Sequence, residues 1–248
     1  MRGRLISAAL LLIAVAALAQ HEHHPAATGD EAGQAMDHNM DPSATAMASH
    51  HMDAGAHMKM TPLRSLRPDD QQRAQDVLAG ARRAAEKYED YRTALNDGFR
   101  IFLPDVKQKM YHFTNYEYGF EAAFGMNPEH PTSLLYEKQP DGGYKLVGVM
   151  YTAPKGSSPD DLDHRLPLSI AQWHAHVNFC APPAEQRQEM FMPHPKFGLN
   201  GSITTREACE QAGGRFSPQV FGWMVHVYPL EKDPAQIWSV ERQLDHGH

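Results

Sequence analysis

The side chains best suited to chemistry cluster in one short run, Gln172-Trp173-His174-Ala175-His176-Val177-Asn178-Phe179-Cys180. In an extended strand alternate residues share a face. His174, His176, Asn178 and Cys180 are therefore expected on one side, with Trp173, Ala175, Val177 and Phe179 on the other. Two imidazoles at i and i+2 stand about 7 Å apart at Cα, close enough for both rings to turn onto one ion of the zinc or copper type. A second strand-like run, Val220 to Pro229, repeats the design: Gly222, Met224, His226 and Tyr228 alternate with Phe221, Trp223 and Val225. A third run, Met110 to Asn115, brings His112. The expected ligands are His174, His176 and His226, with His112 as a fourth if its strand neighbours the central one.

Imidazole donors point to copper first and zinc second. An enzymatic alternative leaves one coordination position to water, whose pKa zinc lowers to about 7, with Glu117 or Glu121 as base. A third reading gives each histidine its own hydrogen-bond partner in the core and no ion. Cys180 and Cys209 are the only cysteines. In an exported chain an even pair implies a disulfide, and thiolate ligation by Cys180 is the rival reading.

These residues must be held by a core, and 248 residues suffice for one domain with extensions. A helix is expected from Pro68 to about Leu95, with Asp69 and Asp70 in its first turn. Ala74, Val77, Leu78, Ala81, Ala85 and Tyr88 follow at a 3.6-residue period, and Gly80 is a weak point within it. Thr132 to Lys138 and Tyr144 to Tyr151 read as a hairpin turned at Pro140-Asp141-Gly142. Pro154 to Pro167 reads as a loop beside the site. Ala184 to Met190 reads as two helical turns, and Thr204 to Glu207 opens a helix that carries Cys209. The fold class expected is α+β, a mainly antiparallel sheet with a long N-terminal helix and short peripheral helices, the two His-bearing strands presenting their histidines together beneath the loop.

The ends of the chain have a different composition. Arg2 and Arg4, the apolar run Leu5 to Ala16 and Ala17-Leu18-Ala19 have the form of a signal peptide over 1–19, which implies a periplasmic or secreted protein with no stable membrane insertion after cleavage. Residues 20–61 interleave His21, His23, His24, His38, His50, His51 and His57 with Met36, Met40, Met47, Met52, Met58 and Met60, and lack aromatic and large aliphatic residues. Such a segment is expected to be a disordered tail that captures copper. The globular domain is expected over 62–240, with a frayed tail over 241–248.

Without Arg2 and Arg4 the net charge of −7 becomes −9, so no basic surface suits nucleic acid. No nucleophile elbow, phosphate loop, dinucleotide fingerprint or His-Glu-x-x-His helix is present in the sequence.

The order of Ala94-Leu95-Asn96-Asp97-Gly98-Phe99, His112-Phe113-Thr114-Asn115, Ser133-Leu134-Leu135-Tyr136-Glu137 and Leu146-Val147-Gly148-Val149 resembles a group of exported bacterial proteins without assigned activity, over about Leu95 to Tyr228. That resemblance implies a self-standing domain and no particular reaction. His-x-His on a strand is also a cupin feature. Here Asn178 or Cys180 stands where cupins carry glutamate and the second Gly/Pro-rich motif is missing, so the cupin fold is not assigned.

Overall fold

The computed structural model describes residues 55–244, and side chains as far as Arg242. The expected signal peptide and residues 20–54 of the tail expected over 20–61 lie outside the described residues, as do residues 245–248. The strands are β1 (Met58–Met60), β2 (Arg100–Ile101), β3 (Tyr111–Thr114), β4 (Ser133–Lys138), β5 (Tyr144–Ala153), β6 (His174–Ala181), β7 (Arg215–Gln219) and β8 (Trp223–Val227). They form one eight-stranded sheet in the order β1-β6-β8-β5-β4-β3-β2, with β7 paired to β6 off this path. Every pairing is antiparallel.

The helices are α1 (Asp70–Lys87), α2 (Tyr91–Asn96), α3 (Tyr116–Glu121), α4 (Pro159–Arg165), α5 (Arg206–Gln211), α6 (Pro234–Ile237) and α7 (Val240–Leu244), with a 3-10 segment over Ala184–Phe191. The expected helix from Pro68 to Leu95 is not continuous. Asp90 takes an extended conformation, accepts the Arg92 N–H as an N-cap and bridges to Lys145, so the backbone breaks and restarts. The α+β expectation built on a long N-terminal helix is thereby corrected: the antiparallel sheet dominates, and apart from the 18 residues of α1 the helical segments are 4 to 8 residues long.

Alternation along the strands gives the sheet two faces. One carries Tyr111, Phe113, Leu134, Tyr136, Val149, Tyr151, Trp173, Ala175, Val225 and Val227, and packs on Ala74, Val77, Leu78, Ala81 and Ala85 of α1. Gly80 does not weaken this helix: a Cβ there would stand 2.3 Å from Pro128 Cβ, so glycine lets the two segments touch. Leu162, Leu166 and Leu168 join the same core. The Pro154–Pro167 segment is thus no loop over the histidines; Ser158 and Asp161 form a capping box that starts α4 on the α1 side.

The opposite face carries a smaller cluster of Leu135, Met150, Met224 and Tyr228. A bulge between Leu135 and Tyr136 leaves Val147 as an extra residue on β5, and bulges bend the strand that holds them. Beside it, Gly148 makes room for Tyr228, because a Cβ there would lie 2.9 Å from the Tyr228 ring.

Candidate metal centre

All four expected ligands lie on this second face. His174 and His176 come from β6, His226 from β8 and His112 from β3. Register fixes the face: His226 opposes Met150, His174 opposes Met224, and His112 opposes Leu135. His174 and His226 are each 2% exposed, whereas His112 and His176 are half-buried.

The rings come close in sequence. Centroids of His174 and His226 are 5.0 Å apart, those of His174 and His176 5.7 Å, and those of His112 and His226 5.7 Å. Two imidazoles on one tetrahedral ion, with metal–nitrogen bonds of about 2.0–2.1 Å, hold their centroids about 5 Å apart. Each neighbouring pair therefore has the reach to share an ion. A ready-made set is another matter: among the described residues, no group of three or more His, Cys, Asp or Glu side chains is disposed to hold a metal ion.

The closeness of His112 to His226 also reports the shape of the sheet. Their strands are separated by β4 and β5, which in a flat sheet sets them about 14 Å apart. The sheet curls toward the histidines, as the Val147 bulge favours. Phe102, just past β2, meets Phe221, just before β8, at 6.0 Å between centroids, and Phe221 meets His176 at 6.2 Å. These ring contacts run across the histidine face from the β2 end to β8. Phe221 was expected on the apolar face with Trp223 and Val225; it precedes the strand and turns to the histidine side instead.

Two further expectations are corrected here. Asn178 has φ of 54°, so the alternation that should carry the row from His176 to Cys180 breaks at that residue. β6 meets β8 only at His174 and pairs with β7 from Val177 onward, delivering Cys180 to a separate cluster with Phe197, Ile203 and Cys209. Cys180 and Cys209 are joined in a disulfide, which excludes Cys180 as a thiolate ligand.

Neither expected base reaches the histidines. Glu121 accepts from His130 and Asn127, and the His130 contact outweighs burial in holding its carboxyl below the usual range. Glu117 lines an open groove with Asn96, Asp97, Gly98 and Arg100 at the far edge of the sheet.

The sequence reading missed β1. Residues 55–61 were expected to be the end of a disordered tail, yet Met58 pairs with His176 and Met60 with His174. Thr61 Oγ1 accepts the Trp173 N–H, and its carbonyl accepts from Gln172. His57 lies between the Val177 and Gly201 carbonyls, 3.3 and 2.6 Å from its ring nitrogens. The missed signal is alternation itself: His57, Lys59 and Thr61 interleave with Met58 and Met60. At the other end, Arg242 of the expected frayed tail pairs with Glu231 at 2.6 Å and covers the Tyr228 ring at 3.9 Å.

Comparison of the chain with protein-family models, with curated proteins and with solved structures finds no match.

Proposed function

We propose that this is an exported metal-binding protein, for copper first and zinc second, whose site is the histidine cluster on the concave face of the sheet. The observation that carries the reading is the His174–His226 pair: two imidazoles, each 2% exposed, from different strands and 5.0 Å apart. Buried imidazoles brought together by tertiary structure, with one more at each flank, are the donor type these ions take. Export fits the Cys180–Cys209 disulfide, since such bonds persist in oxidising compartments. Among the described residues no helix is long and apolar enough to cross a membrane. Of the two bases that a hydrolytic use would call on, Glu121 is engaged by His130 and Asn127 and Glu117 lines the groove at the far edge of the sheet, so binding is the better supported role.

The test is metal stoichiometry after extensive dialysis, compared between the full chain and H174Q/H226Q. The full chain should retain one more tightly held ion than the variant. At a hundredfold excess of free ion over Kd, loading should add about 2.7 kcal/mol to the stability of the fold, seen as a higher melting temperature. Equal stoichiometry in the two proteins would sink the reading.

A further inference from the structure

Each histidine of β6 and β8 on the concave face has a methionine directly across from it. Met58 opposes His176, Met60 and Met224 flank His174 on its two sides, and Met150 opposes His226. Directly opposed residues in an antiparallel pair project to the same face with Cβ atoms about 4.5–5.5 Å apart, within the span of a thioether and an imidazole that share an ion. Met224 and Met150 are each 7% exposed, while Met58 and Met60 are half-buried on the edge strand. Among the described residues no group of three or more His, Cys, Asp or Glu side chains is disposed to hold an ion, and the histidine rings approach one another in pairs with these methionines across from them.

Building on the metal-binding reading above, we propose that Met60 and Met224 are thioether ligands on either side of His174, completing a mixed imidazole and thioether site that selects Cu(I). Thioether is a soft donor. It favours Cu(I), adds little for zinc, and leaves the site without thiolate charge. The arrangement also gives β1 a role: this edge strand sets Met60 beside His174 and Met58 beside His176. Methionine also serves as a flexible filler of apolar cores. Leucine is equally apolar and close in size but cannot ligate, so it separates the two roles.

The experiment is an anaerobic competition titration of the full chain with Cu(I) and a chromophoric Cu(I) chelator, beside a Zn(II) titration, for wild type, M60L/M224L and H174Q/H226Q. The methionine variant should lose about tenfold or more in Cu(I) affinity at its tightest site, about 1.4 kcal/mol, with Zn(II) affinity unchanged. X-ray absorption of protein loaded with one equivalent of Cu(I) should show a sulfur shell weaker in M60L/M224L than in wild type. Unchanged Cu(I) affinity and an unchanged sulfur shell in M60L/M224L, with binding lost in H174Q/H226Q, overturn the thioether assignment alone. Binding of both ions unchanged in H174Q/H226Q overturns the metal-binding reading itself. If M60L/M224L does not fold, M60L alone, on the accessible edge strand, carries the same comparison.

Discussion

Gly80 lies in the middle of α1, where alanine ordinarily improves an exposed helix by about 1 kcal/mol. Its contact with Pro128 reverses that sign, because the added methyl would overlap Pro128 Cβ and push the helix and the Pro128 segment apart. G80A is expected to destabilise by about 1–3 kcal/mol in urea unfolding. A gain in stability would show that the Pro128 segment yields freely. Asp70 sets a second residue-scale expectation. It is 1% exposed; burial pushes its carboxyl up, but the Ser169 hydroxyl, the Arg67 N–H and the guanidinium groups of Arg67 and Arg73 outweigh burial and hold it below the ordinary value. A group lowered in the fold contributes fully above its unfolded value, about 3.9, and the contribution is lost as pH falls through the lower folded value. D70N should therefore be less stable than wild type at neutral pH, with the gap closing in the acid limb of a pH series. A constant gap down to pH values where wild-type Asp70 is protonated would contradict this.

At the scale of elements, β1 is short, yet it is tied down on both sides. It pairs with β6 over Met58–Met60, and the Thr61 hydroxyl and carbonyl engage Trp173 and Gln172. A chain that begins at Gly55 should melt near the full chain, whereas one that begins at Pro62 should melt lower, because β6 becomes an unpaired edge and the backbone of Trp173 loses a partner. Equal melting of the two truncations would reduce β1 to an ornament of the edge. Gly148 is the element-scale counterpart on the other side of the face. G148A would press on the Tyr228 ring at 2.9 Å and on the Val227 carbonyl at 2.9 Å, so it should lower stability and shift the near-UV circular dichroism of the tyrosines.

At the scale of the molecule, the disulfide and the histidine face belong to separate clusters joined by β6. The bond spans a sequence separation of 29 residues, which in the chain-entropy model stabilises by about 3–4 kcal/mol. C180A/C209A should lose stability of that order yet keep its metal stoichiometry, since the cysteines are not ligands. Loss of the tightly held ion in that double variant, with the fold intact, would mean that the two clusters are coupled through β6.

Several features were legible in the sequence because they are local. The strand period put His174 and His176 on one side of their strand and His226 on one side of its own, and the Cys180–Cys209 pairing followed from there being only two cysteines in a chain with an export-like beginning. The hairpin of β4 and β5 announced itself through Pro140-Asp141-Gly142. The break of the first helix at Asp90 was less visible, because an N-cap inside an apolar period looks like one more exposed position until its bridge to Lys145 is known. What only the tertiary structure decided is distance across the sheet. His112 and His226 approach across two intervening strands, Asn178 turns the row aside through a left-handed backbone, and Met58 and Met60 join the histidines through pairing with a strand more than a hundred residues away. Periodicity specifies which way a side chain points from its own strand; which strands lie side by side, and in what register, depends on apolar burial summed over the whole chain.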